Sequence, residues 1–168
     1  KQEEHRKDKA TANNAESTVF TVNGTPIETL SEFRYLGRII TNTDNDEAAV
    51  NYNLTRARQK WGHLGKVLSN TGCNPKVMAS FYKAIVQAVL LYGSESWVLS
   101  TKAAKKLQSF HHRCARFITG QHIRQNKEGI RTYPSTDEVL KLAGMLPIQH
   151  YIQRRRNTLM HYISERFI

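Results

Sequence analysis

The sequence has little cysteine and lacks a long apolar run. Its two cysteines, Cys73 and Cys114, are too few for a disulfide framework, and neither stands in the CxxC spacing of zinc sites. The longest apolar stretch, 84–92, is interrupted by Gln87 and is much shorter than the roughly 20 residues that a membrane-spanning helix needs. We therefore expect a soluble, intracellular protein with neither a disulfide scaffold nor a membrane anchor.

Acidic residues are scarce in the C-terminal two thirds of the chain. The 168 residues include 25 basic and 14 acidic side chains, which give a formal net charge of +11. Residues 51–168 hold 19 of the basic side chains and 5 of the acidic ones, whereas residues 1–50 have a small acidic excess. This distribution favours a polyanion as the binding partner.

Residue patterns typical of a catalytic site are also missing. The histidines are scattered, and no Ser/His/Asp or Cys/His order is visible. Cys114 stands near His111 and His112, but three ligands lack the fourth that zinc usually takes, and a buried helical thiol is the alternative. The acids of 44–47 could hold a metal, although acids in a helix's first turn usually serve its cap and dipole. We predict neither a catalytic residue nor a metal site.

The N-terminal quarter has the pattern of β-structure. Residues 1–17 show no periodic apolar pattern and are predicted to be a disordered or truncated lead-in. Beyond them, two β-prone runs flank Asn23-Gly24, which supplies both positive φ angles of a type I′ hairpin turn. The stretch FRYLGRII, 33–40, alternates like one further strand. We predict a hairpin and a strand within 18–41.

One glycine in that strand is unusual, because glycine weakens a strand interior. Phe33, Tyr35 and Ile39 would lie on one face of the predicted strand, with Gly37 between them in sequence. A glycine there could let the backbone approach a phosphate. The alternative is a bulge or a packing glycine.

From residue 42 onward the apolar period changes to that of helices. Asp44 with Glu47, Asn74 with Pro75, and Ser100 are predicted to begin three helices in 42–120. The second helix is apolar around most of its circumference and should be the most buried. In 121–168, residues 121–134 are predicted to be a loop, followed by a short helix capped by Ser135 and Glu138 and a last helix from about Ile148. The fold class predicted is α+β, mainly α, with about five helices.

The predicted first and third helices have apolar stripes that face inward and basic residues elsewhere. Trp61 in the first helix and Tyr82 in the second lie on these stripes and are expected in the core. Neither the first helix after Glu47 nor the third helix contains an acid. A merely solvated face would normally mix charges for i to i+4 pairs, so the basic faces are candidate binding surfaces.

Four segments resemble one protein family in order along the chain. FRYLGRII is similar to the Phe-x-Tyr-Leu-Gly motif of reverse transcriptases of non-long-terminal-repeat retrotransposons. AVLLYGSESWVLS resembles the Leu-Tyr-Gly-Ser-Glu-x-Trp segment of that family, and FHHRCARFITG resembles its Phe-His-x-x-Cys-x-Arg-x-Ile helix. STDEVLKLAGMLPIQHYIQRRR is similar to its Asn-x-Glu-Val-Leu-x-x-Ala-Gly segment.

The resemblance implies the end of a polymerase palm over 18–41, a thumb-like bundle over 42–120 and a helical extension over 121–168. The family's catalytic Ala-Asp-Asp motif is absent from the sequence. This chain is thus expected not to be an enzyme on its own and to need no cofactor, while the parent polymerase would use Mg²⁺ and supply the missing catalytic palm. The expected partner is a template–primer duplex of RNA or DNA.

The predicted binding residues are basic positions off the apolar stripes, together with the strand glycine. The alternative function is a protein-interaction module of a decayed retroelement, in which the last helix docks an acidic partner through its three arginines. The predicted nucleic-acid-binding residues are Arg34, Gly37, Arg38, Arg56, Lys60, Lys102, Lys105, Lys106, Arg113, Arg116, Arg154, Arg155 and Arg156.

Overall fold

A computed structural model describes residues 20–27, 30–42, 46–122, 124–125, 127–129, 131–132 and 134–167. The predicted lead-in, 1–17, lies outside the described residues. The chain divides between Ser31 and Glu32 into two units, which are described separately.

The first unit contains the predicted hairpin. Strand β1 (Thr21–Val22) pairs antiparallel with β2 (Thr25–Pro26). Asn23 and Gly24 connect the strands with φ angles of 50° and 77°, the positive values that a type I′ turn requires. The prediction from the Asn-Gly pair is confirmed.

The second unit begins with another hairpin, which corrects the prediction of a single strand over FRYLGRII. Strand β3 (Glu32–Tyr35) pairs antiparallel with β4 (Arg38–Thr41), and Leu36 and Gly37 form the turn with φ angles of 47° and 83°. Phe33 therefore lies opposite Ile40, and the predicted face that included Ile39 is wrong. The reason is that reversing the chain after Tyr35 changes which residues share a face.

The helix α1 (Glu47–Asn70) begins later than predicted. Its N-cap is Asp46, whose side chain makes no capping hydrogen bond to the helix, and the predicted cap Asp44 lies outside the described residues. The inner stripe of α1 is as predicted at Val50, Leu54 and Ala57, which are buried. Trp61 further along is half-buried against the core.

A central helical run follows, formed by α2 (Pro75–Phe81), a π-helical segment (Tyr82–Gln87) and α3 (Ala88–Leu90). The Asn74 side chain accepts a hydrogen bond from the Lys76 amide, so the predicted cap is confirmed. The run buries Tyr82 completely, but Phe81 is 43% exposed. The prediction that this helix is buried almost all round is thus wrong for one face, because neighbouring helices cover only the other.

The remaining helices follow in the predicted order. A 3₁₀ turn (Ser94–Ser96) leads to α4 (Thr101–Thr119), which is capped by the Ser100 hydroxyl and ends at Gly120 with a φ of 66°. The predicted loop 121–134 contains a short antiparallel pair, β5 (Arg124–Gln125) and β6 (Arg131–Thr132). Helices α5 (Thr136–Ala143) and α6 (Ile148–Phe167) complete the chain.

One local prediction fails at the start of α5. Ser135 occupies the N-cap position, but its side chain makes no capping hydrogen bond, so the predicted capping box with Glu138 is not formed. The acids Asp137 and Glu138 still lie in the first turn, where their negative charges interact favourably with the positive end of the helix dipole.

The architecture is α+β and mainly α, as the sequence predicts: short hairpins precede helices that share one apolar core. The central run lies in that core, where Tyr82 makes an edge-to-face contact with Trp61 at 5.6 Å between ring centroids. Among the described residues, every helix is too short or too polar to cross a bilayer. Buried residues from each of the larger helices are Leu54, Ala57, Val86, Leu90, Leu107, Cys114, Val139, Leu140, Ile148 and Ile152.

Candidate nucleic-acid interface

A basic groove runs along the outer face of α4 beside α1. It has a volume of about 580 Å³ and contains five cationic side chains and no acid. Phe110, only 5% exposed, forms part of its apolar floor, and two hydroxyl groups lie among the cations. The residues that line this groove are Arg58, Thr101, Lys102, Lys105, Lys106, Ser109, Phe110 and Arg113.

Helical spacing places these groups on one face of α4. Residues 102, 105, 106, 109 and 113 recur at steps of three and four, so they align along the helix while Leu107 and Cys114 point into the core. Lys102 and Arg113 are about 16 Å apart along an α-helix that rises 1.5 Å per residue, a length comparable with about five base-pair steps along the axis of a duplex. The groove can therefore follow several consecutive phosphates.

One lysine of the groove also joins two helices. The Lys106 ammonium donates a hydrogen bond to the Asn51 side-chain oxygen of α1 at 2.8 Å, and Lys106 is half-buried. Lys102, Lys105 and Arg113 are exposed. These three side chains can reach a ligand without giving up a structural contact of that kind.

A second basic cavity of about 540 Å³ continues the groove toward the C-terminal end of α4. It shares Ser109 and Arg113 with the groove and adds His112, Arg116 and other residues. The pKa of His112 is lowered, first by burial and then by the Arg116 charge, so the imidazole offers hydrogen bonds without adding a charge at neutral pH. The Arg116 guanidinium donates to the Thr136 hydroxyl at 3.3 Å, which ties it to α5.

The predicted residues of α1 and β3 lie outside the groove. Arg34 and Arg56 are exposed, and both guanidinium groups lie 5.5 Å from the centre of the Tyr52 ring. Lys60 is exposed further along α1. The structure therefore brings Arg34 and Arg56 together at the Tyr52 ring, and neither of them lines the groove.

Three predicted arginines contact residues 94–98, a segment called the junction below. The Arg38 guanidinium pairs with the Asp46 carboxylate at 2.7 Å, and that carboxylate also accepts from the Val98 amide at 2.8 Å. Arg156 donates to the Trp97 carbonyl at 2.6 Å, and Arg155 lies 3.7 Å from the Glu95 carboxylate. These contacts engage Arg38, Arg155 and Arg156 in holding the chain together.

The strand glycine has a conformational role. The φ of Gly37 is 83°, and a Cβ there would lie 3.6 Å from the Tyr92 ring. The Tyr92 hydroxyl donates to the carbonyl of Leu36 at 2.8 Å, which secures the turn. The turn explains the glycine without a ligand.

The cysteine and the first histidine considered as metal ligands, Cys114 and His111, are both buried. His111 is fully buried, with Nδ1 2.9 Å from the Tyr82 hydroxyl and Nε2 2.9 Å from the Leu146 carbonyl. Burial raises the pKa of the Cys114 thiol well above its usual value, which makes it unreactive. Within the described ranges, no three His, Cys, Asp or Glu side chains are placed to hold a metal ion.

Sequence reasoning missed part of the groove. Arg58 lies off the apolar stripe of α1 but is not among the predicted binding residues, and Thr101, Ser109 and Phe110 carry no charge. Arg58 directly follows Ala57, which lies on the inner stripe of α1. This position at the edge of the stripe is the sequence feature that indicates a border with another helix. The hydroxyls could be found only from the packing of the two helices.

Comparisons with protein families, with curated proteins and with solved structures give no match for this chain. The chemistry of the groove therefore follows from its own residues. Five cations, two hydroxyl donors and an apolar floor suit a chain of phosphates better than a single small anion.

Proposed function

We propose that the chain binds a nucleic-acid duplex along its phosphate backbone through the groove. The observation that carries the proposal is the concentration of five cations, without an acid, in an open groove along α4. Phosphate contacts of lysine and arginine give affinity and position but little base readout. The groove should accordingly bind duplexes of many sequences.

The sequence resemblance supports a more specific form of this proposal. The chain would be a non-catalytic part of a reverse transcriptase of a non-long-terminal-repeat retrotransposon, and it would hold the template–primer duplex while a separate palm carries out nucleotide transfer. In the palm, Mg²⁺ would stabilise the charge of the reacting phosphate. This chain's residues would contribute only backbone contacts.

The alternative, docking of an acidic protein by the three arginines of α6, has less support. Arg155 and Arg156 contact Glu95 and the Trp97 carbonyl, which leaves Arg154 as the exposed member of the run. A partner would have to displace the two internal contacts. The groove requires no such displacement.

Salt dependence of binding tests the proposal. With about five phosphate contacts, a plot of log K against log salt should have a slope of about −4 to −5 on duplex DNA. The double substitution Lys102→Gln and Lys105→Gln should reduce the slope magnitude by up to about 2 and weaken binding to unrelated sequences alike. Fluorescence anisotropy with RNA–DNA, RNA and DNA duplexes measures this.

The matched control is the double substitution Lys76→Gln and Lys141→Gln. It also removes two exposed lysines, but these lie beside Glu138 in a different cavity. The control should retain the slope of the unchanged protein. Equal losses in the two double variants would show that binding reflects net charge alone, and an unchanged slope in both would exclude the groove.

A further inference from the structure

A separate cavity lies between the π-helical segment and α6. It has a volume of about 590 Å³, within the range of pockets that hold small molecules. Its walls are polar and aromatic on several sides, and it shares no lining residue with the groove. The residues that matter for its chemistry are Lys83, Gln87, Glu95, Tyr151, Arg154 and Tyr162.

Two polar atoms of this cavity's lining are buried without a hydrogen bond. Gln87 is only 7% exposed, and its side-chain nitrogen has no partner. Glu95 Oε2 is likewise buried without a hydrogen bond, and Arg155 Nη1 is 3.7 Å from it, beyond hydrogen-bond distance. Buried groups of this kind normally find hydrogen-bond partners, so the Gln87 nitrogen remains as a donor for a ligand, and Glu95 Oε2, which pairs with Arg155 without a hydrogen bond, remains as an acceptor.

Both side chains line the cavity. The terminal torsions of glutamine and glutamate are broad, so a rotation would bring the covered nitrogen or oxygen to the cavity surface. Gln87 is also the last residue of the π-helical segment, a distortion that often accompanies functional sites.

Cations and aromatic rings complete the site. Arg154 is exposed at the cavity, and Lys83 is half-buried there with its ammonium 3.4 Å from the Gly144 carbonyl. The Tyr151 hydroxyl accepts from the Leu146 amide at 3.0 Å, which leaves its own proton for a ligand. Tyr162 adds a second ring.

We propose that this cavity binds a nucleotide. A nucleobase has donors and acceptors on one edge, which match the Glu95 carboxylate and the Gln87 amide, and a flat face that suits the tyrosines. The phosphate would contact Arg154 and Lys83, because guanidinium and ammonium groups form charge-assisted hydrogen bonds with phosphate oxygens. The same chemistry fits a free mononucleotide and the terminal nucleotide of a strand.

Calorimetric titration of the whole chain with AMP, GMP, UMP and CMP tests the proposal. At least one of these nucleotides should bind the cavity. Ribose 5-phosphate should bind the cavity about tenfold more weakly, or weaker still, because it lacks the base. Arg154→Gln should weaken nucleotide binding about tenfold, the loss expected for one charge-assisted hydrogen bond. Gln87→Leu should weaken nucleotide binding similarly but leave ribose 5-phosphate binding unchanged.

Two controls keep the result interpretable. Gln87→Leu replaces a side chain whose buried amide nitrogen is unpaired by an apolar group of similar size, so the variant should fold. Arg154→Gln, at an exposed position, provides a second test. Lys76→Gln, at an exposed position outside both sites, should leave the nucleotide Kd unchanged. Failure of all four nucleotides to bind at millimolar concentration overturns the proposal, as does binding that depends on Lys102 of the groove but not on Arg154.

A 5′-phosphorylated tetranucleotide identifies the source of the ligand. Tighter binding than the mononucleotide, lost in Arg154→Gln, assigns the cavity to a strand end. Tighter binding of the mononucleotide assigns it to a free nucleotide. Neither result depends on duplex binding by the groove, because the two sites have different residues.

Discussion

The arginines that contact the junction and the cations of the groove have the same charge in different surroundings. Arg38 lies between a carboxylate and a serine hydroxyl, and Arg156 donates to a main-chain carbonyl. Lys102, Lys105 and Arg113 are exposed beside an apolar floor in a groove without acids. The first set joins distant parts of the chain, and the second is available to a ligand.

The difference shows that positive charge alone does not identify a binding residue. A partly buried arginine with a carboxylate partner stabilises the fold mainly because its removal would leave the partner unpaired. An exposed lysine contributes little to folding, but it can replace counterions around a phosphate. Substitutions in the two sets should therefore separate stability from binding.

The largest effect is expected at the junction. Asp46→Ala leaves Arg38 without its carboxylate and the Val98 amide without an acceptor, so the free energy of unfolding should fall by about 2 to 4 kcal/mol. Asp46→Asn retains an oxygen acceptor and should lose less. Urea unfolding followed by circular dichroism measures both, and a loss below about 0.5 kcal/mol in Asp46→Ala would place the junction among ordinary surface contacts.

The pH dependence of stability is the next effect in size. Burial lowers the pKa of His111 from 6.5 to about 4, so between these pH values the unfolded chain binds a proton that the folded chain does not. Stability should be highest above pH 6.5 and fall by up to about 3 kcal/mol as the pH is lowered to about 4. Urea unfolding at several pH values tests this.

The same pH range separates loss of folding from loss of duplex binding. The groove is lined by neither a histidine nor an acid, so loss of duplex binding in acid should follow unfolding rather than a change in the groove. In His111→Gln the free energy of unfolding should vary less with pH. An equally steep decline in that variant would assign the effect to other groups, among them His112, whose pKa is also lowered.

The smallest effect on stability is expected in the groove. Lys105→Gln should change the free energy of unfolding by less than about 0.5 kcal/mol, because the side chain is exposed. Lys106→Gln should cost more, since the Lys106 ammonium bonds Asn51 of α1. Each should reduce the salt slope of duplex binding by about 0.9 if its ammonium contacts a phosphate. Equal stability of the two variants would show that the Asn51 contact contributes nothing.

The sequence predicted the helices well because their start and stop residues act locally. Asn74 and Ser100 cap helices with their own side chains, and Gly120 and Gly144 end helices with positive φ angles. Such contacts lie within a few residues, so a single sequence contains the information. The Asn23-Gly24 turn belongs to the same class.

The second hairpin could not be predicted in this way. Leucine rarely adopts the positive φ of Leu36, and the contact that holds it comes from Tyr92, far along the chain. The same reason limits prediction of the sites. Arg38 and Lys102 carry the same charge, and only the folded chain shows that Arg38 faces Asp46 and that Lys102 lines a groove.

Long-range contacts at and beside the junction also bear on the order of folding. Asp46 meets Val98 across a sequence separation of 52 residues, Leu36 meets Tyr92 across 56, and Arg156 meets Trp97 across 59. A hairpin such as β3–β4 closes in about 1 to 10 μs, whereas contacts of this separation carry a larger loop-closure entropy. We expect the helices to associate first and the hairpin to dock last, so Asp46→Ala should accelerate unfolding far more than it slows refolding.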